Sequence, residues 1–74
     1  MSELDDARWM LEQFLKRELP DTKFSDQVME EMTYALYKNY YAYEMDEEFA
    51  ARDAVSCALK KHHIQVPGFK IWIA

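Results

Sequence analysis

Cys57, His62 and His63 carry the thiol and imidazole groups of the chain, and they fall within seven residues of one another. Adjacent residues on a helix point about 100° apart, so the two histidines do not grip one ion in the i, i+4 manner. Cys57 lies on another azimuth, and no further cysteine or histidine exists to complete a tetrahedral zinc set. The histidines therefore read as helix-end residues that suit the negative end of the helix dipole. A cysteine nucleophile needs a base and an electropositive, partly exposed setting. Between Ala54 and Ala58, on a helix expected to be largely buried, Cys57 reads instead as a small hydrophobe.

Carboxylates are plentiful: Asp5-Asp6, Glu30-Glu31, and Glu44 with Asp46, Glu47 and Glu48. Acid–base catalysis requires such groups in a cleft that pushes their pKa values apart, and exposed helix starts do not supply it. The Glu44–Glu48 run also lacks the Asp-x-Asp-x-Asp-Gly spacing of a calcium loop. With Gly68 as the single glycine, no phosphate-cradling loop is available. No catalytic residue, metal site or cofactor is expected, and an enzyme is retained only as an active site assembled between subunits.

The aromatic residues, 15% of the chain, carry more information. Tyr34, Tyr37 and Tyr41 are spaced i, i+3, i+7 and share one helical stripe with Glu30 and Lys38, opposite a Val28-Met32-Ala35-Leu36 face. Exposed tyrosines are typical of protein interfaces, where a rigid ring supplies contact area and the hydroxyl stays satisfied. The other reading is that a third helix or the tail covers the stripe as core. Trp9 and Trp72 pose the same alternative: they meet each other, or each is an exposed anchor. The expected partner-binding residues are Tyr34, Tyr37, Tyr41, Glu30 and Trp72.

Three helical stretches and a tail must position these side chains. Ser2 caps the first helix with Asp5 as a short capping-box partner, and Pro20 ends it. Leu4, Ala7, Leu11, Phe14 and Leu15 gather on one face, with Met10 at its edge and Trp9 outside. The second helix opens at Ser25, with Phe24 and Met29 spaced as a hydrophobic staple, and runs to about Tyr43. Its buried face is expected to hold Val28, Met29, Met32, Ala35, Leu36, Tyr40 and Tyr43. Asp46 caps the third helix, whose arc of Ala50, Ala51, Ala54, Val55, Ala58 and Leu59 allows close packing. Ile64-Gln65-Val66, then Pro67-Gly68, then Phe69 to Ile73 alternate with a strand's period, giving a hairpin or a docked extended tail. Pro-Gly fits a type II turn better than the primed turns of tight hairpins.

The expected fold is mainly α: a compact three-helix domain, residues 1–74, with a short extended or β C-terminal tail. The formal charge of −5 disfavours direct nucleic-acid binding. All fourteen acidic residues precede Ala54, after which only Lys60, Lys61 and Lys70 are charged. One unpaired cysteine and an acidic start without a signal-peptide pattern point to the cytoplasm, and no apolar run reaches bilayer length. A non-catalytic interaction module follows: a small inhibitor, adaptor or assembly factor, of the kind common among regulatory and phage or mobile-element accessory proteins. It presents aromatic and acidic surface to a protein partner or to a second copy as a homodimer. The alternative is an acidic nucleic-acid mimic that blocks a DNA- or RNA-binding protein, although Arg8, Lys16, Arg17, Lys23 and Lys38 interrupt any acidic stripe.

Overall fold

The computed structural model describes residues 2–72. Ser2 starts helix α1, Glu3–Glu18, through a reciprocal capping box: its hydroxyl accepts from the Asp5 N–H at 3.2 Å, and the Asp5 carboxylate accepts from the Ser2 N–H at 3.4 Å. Ser25 caps α2, Asp26–Tyr37, by accepting from the Val28 N–H, while Phe24 and Met29 both pack against the core. Helix α3, Glu47–Lys61, begins at Asp46 without a side-chain cap bond. Its first-turn Glu47 and Glu48 and last-turn Lys60 and Lys61 nevertheless complement the dipole.

The three helices pack on one another, and Leu11, Met32, Leu36, Val55 and Leu59 fill the fully buried centre. On α3 the alanines expected at the contact, Ala50, Ala51, Ala54 and Ala58, are all buried. Small side chains there let the helix backbones approach closely. The Cα radius of gyration, 11.3 Å, matches the ~11 Å of a compact chain of this length. The molecule is thus a mainly α three-helix bundle with no strand among the described residues.

The largest departure from helical periodicity lies at the end of α2. After Tyr37 the helix widens into a π-helical turn, Lys38–Ala42, in which the Tyr43 N–H reaches the Lys38 carbonyl at 3.0 Å. Each wide turn advances a side chain by less than 100°, so residues beyond Lys38 no longer fall where an α-helix would put them. Tyr43, expected in the core, is 64% exposed. Asn39 is buried and donates to the Ala50 carbonyl at 3.1 Å and to the Asp53 carboxylate at 2.9 Å. Buried polar groups need such partners, and this one ties the wide turn to α3.

Two further positions, Leu4 and Cys57, differ from expectation. Leu4, in the first turn of α1, is 44% exposed. Cys57, expected to pack as a small hydrophobe, is exposed, while Ser56 is fully buried. Leu19, which caps α1 at its C-terminus, is buried just before Pro20.

Beyond α3, His63 adopts φ 54°, and the Ile64 N–H bonds back to the Leu59 carbonyl at 2.9 Å, reversing the chain. Val66 and Phe69 then close a turn at 3.1 Å with Gly68 at φ 86°, the positive φ that a type II turn requires of its third residue. Ile64, Val66, Phe69 and Ile71 pack against the core cluster. Ile73, expected on the same side as Phe69 and Ile71, lies outside the described residues.

Candidate functional site

The tyrosine stripe forms a continuous ladder along α2 and the π turn. Tyr34 and Tyr37 stack with centroids 6.1 Å apart, Tyr37 and Tyr41 follow at 5.5 Å, and Tyr40 meets Tyr41 edge-on at 4.9 Å. Tyr34 is 56% exposed, whereas Tyr37 and Tyr41 are half-buried and touch the core from outside. The ladder therefore combines both sequence readings: its inner rungs support the core and its outer rung faces solvent. Such offset and edge-on pairs add about 0.5–1.5 kcal/mol each beyond their burial, which makes the surface rigid.

Beside Tyr34, the antiparallel start of α1 leaves an open groove of about 430 Å³ lined by Leu4, Asp5, Arg8, Glu30, Thr33 and Tyr34. Thr33 is buried and donates its hydroxyl to the Met29 carbonyl at 2.7 Å. Arg8 is drawn along its own helix to Glu12 at 3.3 Å. The Lys38 ammonium sits 5.8 Å from the centre of the Tyr34 ring. Burial pushes the Tyr41 phenol up from its ordinary pKa, and the negative charges of Asp6 and Glu3 push it further. Of the expected binding residues, then, Tyr34, Tyr37, Tyr41 and Glu30 share one surface.

Trp72 belongs elsewhere. It stacks on Phe49 at 5.4 Å, and its backbone N–H donates to the buried Ser56 hydroxyl at 2.9 Å. Trp9, which the alternative reading paired with Trp72, stands 60% exposed on α1. Leu4, Thr33 and Phe49 were not identified as surface contributors from sequence. Leu4 matched the apolar face of α1, and only its place in the first turn signalled that no neighbour would cover it. Phe49 fell outside the alanine arc of α3, which was a readable signal.

Of the polar groups weighed for chemistry, Glu31, Glu48, His62 and Cys57 have partners within the fold. Glu31 accepts from Lys61 at 2.7 Å and lies 2.7 Å from His62 Nε2, and these contacts hold its carboxyl below the usual range, the Lys61 hydrogen bond most strongly. The Cys57 thiol is pushed up by burial and then by Asp53, whose Oδ1 lies 4.0 Å from Sγ, so it stays protonated. His62 and Cys57 do not join any group of three His, Cys, Asp or Glu side chains able to hold a metal among the described residues. No helix among the described residues is long and apolar enough to cross a membrane. No protein-family model, curated protein or solved structure matches the chain.

Proposed function

We propose that this protein is a non-catalytic interaction module, an inhibitor, adaptor or assembly factor acting in the cytoplasm, that binds a protein partner through the tyrosine ladder and the adjoining α1–α2 groove. The observation that carries this reading is the ladder itself: three ordered rings whose outer member, Tyr34, is 56% exposed beside the apolar Leu4. A rigid aromatic surface loses little conformational entropy on binding, which is why such residues dominate interface energetics. Trp72, on its separate face against Phe49, is a second anchor in this reading, and the tail is read as an extended segment docked on the body.

The nucleic-acid mimic needs free carboxylates in a phosphate-like row. Here Glu12, Glu18, Glu31 and Glu48 are already held by Arg8, Arg17, Arg52 and Lys61. Glu3, Asp5, Asp6 and Glu30 form no ion pair among the described residues, but they sit beside the aromatic groove rather than along a helix face, which favours the aromatic interface. Salt separates the two, since binding by a mimic collapses with ionic strength while an aromatic contact largely persists.

The test is the variant Tyr34→Ser with Tyr37→Ser and Tyr41→Ser, read by thermal unfolding and by association with itself and with captured partners. The expected outcome is a folded subunit whose assembly weakens by about 2–4 kcal/mol, as for clustered aromatic anchors. A variant that unfolds as a monomer makes the tyrosines core residues and ends the proposal.

A further inference from the structure

The groove beside Tyr34 has a charge asymmetry that restricts what occupies it. Glu3, Asp5 and Asp6 in the first turn of α1 and Glu30 on α2 are exposed, and none forms an ion pair among the described residues. Asp5 and Glu30 line the groove with Arg8, which pairs with Glu12 at 3.3 Å, while Glu3 and Asp6 lie beside it on the first turn of α1 and Lys38 sits over the Tyr34 ring. The positive end of α1 offsets only about half a charge. Glu3 and Asp6 act on the inner rungs, where burial first and then their charges disfavour ionisation of Tyr41.

From this charge complementarity we infer that the groove takes a cationic amphipathic segment of a partner protein, its apolar side chains against Leu4 and Tyr34 and its lysine or arginine side chains against Glu30 and the α1 acids. The inference rests on the protein-binding reading above and adds the chemistry of the occupant. An acidic segment meets the like charges of Asp5 and Glu30 in the groove and of Glu3 and Asp6 beside it. A neutral apolar segment strips water from those carboxylates without supplying a counter-charge, which is costly. A cationic segment gains on both counts, and Lys38 already shows a side-chain ammonium over the Tyr34 ring, the contact a partner's cation makes on such a face.

The experiment uses the full chain and three fluorescein-labelled helical peptides of identical leucine pattern, with lysine, glutamine or glutamate at every polar position. Binding is read by fluorescence anisotropy at low and at high salt. The lysine peptide should bind at least about tenfold tighter than the glutamine peptide, and the glutamate peptide should not bind. Glu30→Gln with Asp6→Asn should weaken the lysine peptide about tenfold, and Tyr34→Ser should weaken it comparably. Asp5 is left in place because it completes the α1 cap. The control pair Asp21→Asn with Glu47→Gln removes the same charge away from the groove and should change binding less than about twofold.

Equal binding of the glutamine peptide overturns the cationic occupant while leaving the tyrosine interface standing. Equal weakening by the control pair reduces the effect to general charge attraction and overturns the groove. Failure of the lysine peptide to bind overturns the inference outright. So does self-association lost in Tyr34→Ser, which places a second copy there. Failure of the protein-binding reading itself registers separately, in unfolding of the triple tyrosine variant.

Discussion

His63 holds φ 54°, a left-handed conformation that costs an L-residue about 1–2 kcal/mol and glycine almost nothing. It does so because the chain must turn: the His63 N–H bonds to the Lys60 carbonyl at 3.3 Å and the Ile64 N–H to the Leu59 carbonyl at 2.9 Å. This pairing satisfies the last carbonyls of α3 and brings Ile64 onto the core. His63→Gly should therefore raise stability by about 0.5–1 kcal/mol after the extra entropy of the unfolded chain is deducted, a Tm gain of about 2–8 °C in a thermal melt. A lower Tm would mean that the imidazole itself contributes. The turn was not legible in the residue type, since the helix-end position of His63 had a sufficient explanation in the dipole. Glu44, at φ 53° ahead of α3, is equally silent in sequence, whereas the positive φ of Gly68 was readable from Pro67-Gly68. Cys57 was misplaced for a related reason: it adjoins the alanine arc, and one step of about 100° decides between core and surface.

The helices were legible where their signals are local. Ser2, Asp5 and Ser25 form the expected caps, and the apolar faces of α1 and α3 are buried almost residue for residue. The π turn was not legible, because nothing local in Lys38–Ala42 marks it; within it Asn39 bonds both the Ala50 carbonyl and Asp53 on another helix. Asn39 continues the Met32-Leu36 face of α2, and beyond it the widened turn carries Tyr43 out to solvent. Asn39→Ala should leave the Asp53 carboxylate and the Ala50 carbonyl without this donor, at a cost of about 1–3 kcal/mol in urea-induced unfolding. Asn39→Asp should cost more, because a second carboxylate then faces Asp53. An Asn39→Ala protein with an unchanged urea midpoint would show that packing alone sets the wide turn. Its consequence for the candidate site is direct, since the spacing of Tyr37 and Tyr41 spans the turn that Asn39 pins.

In the whole molecule, the segment after α3 lies across α1 and α3. Phe69 meets Phe14 edge-on at 6.2 Å, and the Arg52 guanidinium lies 5.4 Å from the centre of each of these rings. Arg52 also reaches Glu18 at 3.1 Å and Glu48 at 3.5 Å, so one side chain links α1, α3 and the tail. The Trp72 backbone N–H supplies the hydrogen bond to the buried Ser56 hydroxyl. A core in a chain of this size rarely supplies more than about 3–5 kcal/mol, so a covering layer of this kind matters to the fold. Phe69→Ala should cost about 1–2 kcal/mol, less than a fully buried phenylalanine because the ring is half-buried, and lower Tm by about 4–16 °C. Removal of residues 69–74 should cost more, since it also takes the Ser56 bond and the Phe49–Trp72 stack. Lys70→Gln, on an exposed position between these contacts, should leave the melt within about 0.5 kcal/mol of the parent. If the truncated chain instead melts with the parent and loses a partner, the segment is a detachable hook that adds to another protein's sheet, and its packing on Phe14 and Ser56 is incidental.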